Sequence, residues 1–210
     1  MAKSEIDFWD ERYKDPVFVY GEIPNKYLEE KLLSLPVGKV LFPVEGEGRN
    51  AVYAAEKGWQ AIAFDQSVSA KKKAEILASK KNVTIKYAIE TLESVDYPEN
   101  SFDALVLIYA HFHSDFRRIY HQKLSRFIKP GGWLILEAFQ KEQILNQAEN
   151  PKAGGPKNSE MLYDLDELKA DFEDFDFKEA EVLDINLNEG NYHVGKAAVI
   201  RIFARKKTIK

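Results

Sequence analysis

Gly46 and Gly48 stand in the segment Glu45-Gly46-Glu47-Gly48-Arg49-Asn50, directly after the apolar run Val40-Leu41-Phe42-Pro43-Val44. Glycines at such a strand-to-helix turn let the backbone fold back sharply. They bring bare N–H groups and a helix N-terminus closer to a ligand than any side chain could. A second apolar run, Trp59 to Phe64, ends in Asp65, 17 residues after Gly48. A carboxylate at the tip of a second strand can accept both ribose hydroxyls of a nucleoside lying over the first turn, or it can cap the helix that follows. Glu45, Gly46, Gly48, Asn50, Asp65 and Gln66 are therefore candidate nucleotide contacts. The turn lacks the Gly-x-Gly-x-x-Gly spacing, which argues against a nicotinamide dinucleotide.

Four histidines occur, at 111, 113, 121 and 193. His111 and His113 follow Tyr109-Ala110 at the end of an apolar run, and His193 follows Tyr192 late in the chain. A histidine placed there can take a proton from an attacking nucleophile near neutral pH, so His111, His113 and His193 are candidate catalytic groups. His121 falls mid-helix and reads as structural. No third ligand accompanies the His111/His113 pair, so no metal site is predicted. Cysteine is absent, which excludes disulfides, thiolate nucleophiles and Cys-ligated metal centres. Tyr20, Tyr109 and Trp9 offer aromatic faces that attract cations.

These residues need a scaffold, and the hydrophobic pattern supplies one. Strand-like runs cover Lys39 to Val44, Gln60 to Phe64, Val83 to Tyr87, Ala104 to Tyr109 and Trp133 to Phe139. Helical patterns cover Asn50 to Lys57, Ser67 to Lys81 and Asp115 to Phe127, the last with Phe116, Ile119, Tyr120, Leu124 and Phe127 on the stripe expected to pack on a sheet. After a helical segment at Asp164 to Phe175, runs at Lys178 to Leu187 and Lys196 to Ala204 flank Asn188-Glu189-Gly190-Asn191, a hairpin connection. The expected fold is α/β: a Rossmann-like seven-stranded sheet of five parallel strands plus a C-terminal hairpin giving one antiparallel strand, with helices on both faces. A single domain over 1–210 is expected, with 1–36 forming an aromatic-rich cap and 37–210 the core. The loop from Asn146 to Ser159, with two prolines and two glycines, is expected to help close the site.

The 210 residues carry a net charge of −4, with 30 basic against 34 acidic side chains. That balance gives no general attraction to nucleic acid or anionic lipid. The N-terminus lacks the apolar core of a secretion signal, and no stretch reaches the ~18 apolar residues of a membrane helix. A cytoplasmic protein, monomeric or weakly dimeric, is expected.

Two further segments complete a pattern. Phe102-Asp103-Ala104-Leu105-Val106-Leu107-Ile108 resembles the fourth-strand motif of class I S-adenosylmethionine-dependent methyltransferases, and Ile128-Lys129-Pro130-Gly131-Gly132-Trp133-Leu134 resembles the entry to their fifth strand. With the glycine turn and Asp65, four motifs follow that family's order. Trp9-Asp10-Glu11-Arg12-Tyr13, Tyr20-Gly21, Pro24-Asn25 and Gly48-Arg49-Asn50-Ala51 resemble its tellurite-resistance-type subgroup, whose members are small-molecule methyltransferases. The resemblance implies S-adenosylmethionine as cofactor and a small-molecule acceptor. It places Tyr20 and Tyr109 near the sulfonium; the family's acid after the third strand is absent, Thr91 standing there, so adenine is expected against the Leu92 N–H and apolar contacts with the Thr91 hydroxyl as a polar partner. The sequence departs from the family at Phe42, where an acid is expected, and at Val44, where the first glycine is expected; Glu45 is then the nearest carboxylate for the ammonium group. A non-catalytic cofactor-binding or regulatory protein with the same fold is the alternative these departures leave open.

Overall fold

The computed structural model describes residues 5–208. Seven helices occur among them: α1 (Glu5–Tyr13), α2 (Lys26–Leu33), α3 (Arg49–Glu56), α4 (Val68–Lys80), α5 (Ser114–Arg126), α6 (Gln143–Glu149) and α7 (Leu165–Asp171). The strands are β1 (Lys39–Pro43), β2 (Gln60–Asp65), β3 (Lys86–Ile89), β4 (Phe102–Ile108), β5 (Ile128–Phe139), β6 (Phe175–Glu189) and β7 (His193–Lys206). They form one sheet in the order β3-β2-β1-β4-β5-β7-β6. β1 and β2, β2 and β3, and β4 and β5 pair in parallel, while β7 runs antiparallel to β5. This is a Rossmann-like α/β fold with a C-terminal antiparallel hairpin, as the sequence pattern predicts.

The central parallel strands β1, β2 and β4 are mostly apolar because a strand covered on both faces has no solvent side. Val40, Leu41 and Phe42 of β1 are at most 1% exposed, and Phe42 lies opposite Ala63 of β2. The large Phe42 side chain fills core volume at the position where the resemblance leads to the expectation of an acid.

The chain divides into two compact units. One holds the chain up to Asp96 together with Glu189–Asn191; the other holds Tyr97–Asn188 and the residues from Tyr192 onward. The expected 1–36 cap groups with β1, β2 and β3 in the first unit.

Several boundaries differ from the expected ones. β3 begins at Lys86, three residues late, because Val83 N–H bonds Ala78 O and so continues the end of α4. No helix lies between β3 and β4. The stripe assigned to α5 splits: Leu124 and Phe127 are buried, whereas Phe116 and Ile119 are 51% and 61% exposed. The positions facing inward instead are His121 and Ser125, so the buried face is rotated toward polar residues. The loop after β5 begins as helix α6 and is tied down rather than open. Gln143 Nε2 donates to Ala153 O and Gly154 O, Gln147 Nε2 donates to Gly154 O and Pro156 O, and Asn150 Nδ2 donates to Val194 O.

Candidate functional site

The turn after β1 is built on three left-handed residues: Val44 (φ +46°), Gly46 (φ +63°) and Gly48 (φ +85°). Gly48 is the N-cap of α3 and has no side chain to satisfy that helix's first donors. Glu45 supplies the missing cap: its Oε1 accepts from Asn50 N at 2.9 Å and Ala51 N at 2.8 Å. Removal from water outweighs these bonds and pushes the Glu45 carboxyl up to about 7. The helix N-terminus expected to face a ligand is thus occupied by the protein's own carboxylate. Gly48 is required on packing grounds as well, since a Cβ there would lie 2.5 Å from Ala74 Cβ of α4.

Asp65 is 6% exposed at the end of β2. Its Oδ2 accepts from Gly46 N at 3.1 Å and its Oδ1 from Ser67 N at 2.9 Å. The cap of α4 is Ser67, whose Oγ accepts from Ala70 N, so Asp65 does not serve that helix. A carboxylate has about four acceptor sites and can serve backbone donors and ribose hydroxyls together. Gln66 adjoins it, partly buried. Beyond β3, Leu92 is buried at 8% exposure and Thr91 Oγ1 is engaged with Ser94.

The segment from Asp15 to Asn25 is strapped to this turn by buried charge. Glu47, 3% exposed, accepts from Val19 N, Tyr20 N and Lys73 Nζ at 3.0, 3.2 and 2.6 Å. Lys73 also donates to Asp15 O and Val17 O. Arg49 donates to Tyr20 O and Ile23 O and pairs with Glu189 at 2.7 Å, while Asn50 Oδ1 accepts from Asn25 N. Asn50 through its side chain and Tyr20 through its backbone thus hold the strap. Neither Glu47 nor Lys73 stood out in the sequence: 26 residues separate them, and no periodicity links a turn residue to a mid-helix lysine.

In the second unit Tyr109 ends β4 in the left-handed region at φ +53°. Glu137 of β5 pins it twice, accepting from the hydroxyl at 2.6 Å and, through its carbonyl, from the amide at 2.7 Å. Glu137 is fully buried and its other oxygen accepts from Arg201 Nε at 2.5 Å; the two residues are opposite one another in the β5–β7 register. The Tyr109 ring stacks on Phe139 with centroids 4.6 Å apart and meets the edge of His193 at 4.5 Å. Gly154 packs against the same histidine, since a Cβ there would lie 2.5 Å from His193 Cδ2.

The three candidate histidines separate by environment. His111 Nε2 accepts from Phe139 N at 3.1 Å, which leaves the proton on Nδ1 to donate to Met161 O at 2.7 Å. Desolvation lowers its pKa to about 4, so it is neutral at pH 7 with both nitrogens engaged. His113 caps α5, its Nδ1 accepting from Asp115 N at 3.4 Å. His193 is 5% exposed within the Tyr109 and Phe139 rings. His121, set aside as structural, is buried with its Nδ1 donating to Asp171 Oδ2 at 2.9 Å, and Asp171 also accepts from Arg117. Among the described residues no group of three or more His, Asp or Glu side chains could hold a metal, and no helix is long and apolar enough to cross a membrane.

Residues 45–136, from the glycine turn through most of β5, match the family model of a methyltransferase domain. No curated protein matches the chain by sequence. Among solved structures, one from work on the conversion of a disulfide bond into a thioacetal group during echinomycin biosynthesis aligns with a TM-score of 0.77 at 18% identity, covering 97% of this chain and 93% of that one. TehB from Haemophilus influenzae gives 0.70 at 18% identity over 96% of this chain and 67% of its own. A SAM-dependent methyltransferase from Methanosarcina mazei gives 0.67 at 19% identity, over 89% and 100%. At such identities the likeness is one of fold. The domain match and these neighbours together support S-adenosylmethionine as the cofactor.

Proposed function

We propose that this chain is an S-adenosylmethionine-dependent methyltransferase acting on a small-molecule acceptor by in-line transfer. The observation that carries the reading is the coincidence of the methyltransferase-domain match at 45–136 with a buried Asp65 carboxylate bonded to the glycine turn at Gly46 N. When bound, the cofactor supplies a methyl carbon that the acceptor's lone pair attacks as the carbon–sulfur bond breaks, its electron pair staying on sulfur as a neutral thioether. The protein's tasks are to hold, orient and exclude water.

Asp65 accepts the ribose hydroxyls beside Gly46 and Gln66, and Leu92 supplies an apolar wall for adenine with Thr91 at its edge. For an O–H or S–H acceptor, His193 takes the proton; His113 is the second candidate. His111 instead fixes the neighbouring backbone, because both its nitrogens are engaged. A net charge of −4 fits a small acceptor better than nucleic acid, and the reading is completed by a monomer or weak homodimer in the cytoplasm.

Calorimetric titration with S-adenosylhomocysteine and transfer of a labelled methyl group to a panel of small thiols, phenols, carboxylates and metalloid oxyanions, tellurite included, test the reading. Binding plus transfer to a panel member is the expected result. Binding without transfer to any of them favours the non-catalytic alternative, which the non-glycine Val44 in the turn motivates. Loss of binding from wild type altogether overturns both. Asp65→Asn should weaken binding by about 1.5–3 kcal/mol, the range for hydrogen bonds to a charged group.

A further inference from the structure

Every surface of Gly46 that a ligand could use is already used by the protein. Its N–H donates to Asp65 and its carbonyl accepts from Tyr87 Oη at 2.5 Å. Its open face, where a side chain would project, is covered by Tyr13: a Cβ on Gly46 would lie 2.8 Å from Tyr13 Oη and 3.3 Å from Cζ. Tyr13 and Tyr87 are 6% and 8% exposed, so the turn is sealed. We propose that α1 is a gate, that Tyr13 is its plug, and that the cofactor reaches Gly46 only after α1 swings away. This rests on the cofactor reading above.

Of the three groups on Gly46, Asp65 and Tyr87 belong to strands of the sheet, while Tyr13 belongs to a nine-residue helix with Ile6 and Phe8 46% and 44% exposed. The buried charged anchors of the chain lie just after that helix, and α1 itself touches the strap through Arg12 Nη1, which donates to Tyr20 Oη at 3.4 Å. Lys73 grips Asp15 O and Val17 O, Glu47 grips Val19 N and Tyr20 N, and Arg49 grips Tyr20 O and Ile23 O. A hinge at Lys14-Asp15 therefore lets α1 move while the strap stays fixed. α1 has its own latch at the start of α4: Asp10 Oδ1 accepts from Ser67 Oγ and from Ser69 N, both at 2.8 Å. The Trp9 ring, stacked on Tyr13 at 5.6 Å, moves with the plug and offers an optical signal.

The chain has no cysteine, so Asp10→Cys with Ser67→Cys introduces a single lockable pair at the latch. Rapid mixing with S-adenosylhomocysteine, followed through Trp9 fluorescence with Trp9→Phe as control, reads the gate. In wild type the observed rate should level off as ligand increases, because opening becomes limiting. Asp10→Ala should raise that plateau. The oxidised double variant should bind at least ~10-fold more slowly, with dithiothreitol restoring the reduced rate, since only the open fraction is competent. An oxidised form that binds as fast as the reduced form, or more tightly, overturns the gate while leaving the cofactor reading intact. Absence of binding in wild type, Asp10→Ala and the reduced form alike overturns the cofactor reading itself.

Discussion

Val44 holds a left-handed backbone that a β-branched residue enters at a cost of about 1–2 kcal/mol. The turn has kept the conformation that a glycine would adopt without strain. Its neighbour stabilises it: Glu45 N–H bonds Phe64 O, and the Glu45 carboxylate closes the N-terminus of α3. Glu45→Ala should therefore cost about 1–2 kcal/mol in urea unfolding, the range for a lost N-cap, and Val44→Gly, at a half-buried position with a left-handed backbone, should cost little. An Asp65-type role for Glu45, facing ligand and not helix, would leave stability unchanged on removal. The identity of these residues as turn residues was legible from Gly46 and Gly48. Their partners were not, because a carboxylate five residues before a helical N–H has the same sequence signature whether it turns inward or outward.

At the scale of elements, the β6–β7 connection does more than join two strands. Its tip, Glu189 to Asn191, lies against the strap: Asn191 N donates to Val19 O at 2.8 Å, and a Cβ on Gly190 would lie 2.4 Å from Val19 O. Glu189→Gln removes the carboxylate that pairs with buried Arg49 at 2.7 Å, so it should lower stability by about 2–4 kcal/mol. Arg49→Met combined with Glu189→Gln should recover part of that loss, and strict additivity in the double-mutant cycle would show that the two side chains do not interact. The hairpin itself was legible, because two apolar runs around an Asn/Gly connection have few other solutions. The contact of its tip with residues 19–21 is separated by some 170 positions and leaves no local pattern. The rotation of α5 was hidden for a related reason: Phe116 and Ile119 satisfy the helical period, yet the face with His121 is taken inward by the Asp171 and Arg117 pairings.

For the molecule as a whole, two opposing titrations shape stability against pH. Folding raises the Glu45 carboxyl from 4.5 to about 7. A group raised in this way stabilises the fold fully at pH below 4.5 and withdraws that contribution as pH climbs through 7. Folding lowers His111 from 6.5 to about 4, so neutral His111 contributes stability above pH 6.5 that is lost as pH falls toward 4. At roughly 1.4 kcal/mol per unit, each amounts to about 2–3 kcal/mol between pH 7 and pH 4.5, with opposite signs. The two should largely offset one another in wild type across that window. Glu45→Gln removes one side of the balance, so its stability relative to wild type should fall by about 2–3 kcal/mol as pH drops from 7.5 to 4.5. His111→Gln should do the reverse, gaining on wild type over the same range. Urea titrations at four pH values decide the matter: a Glu45→Gln difference that stays constant with pH would place the Glu45 carboxyl at its ordinary value, and the helix cap would then be an ionised one at neutral pH.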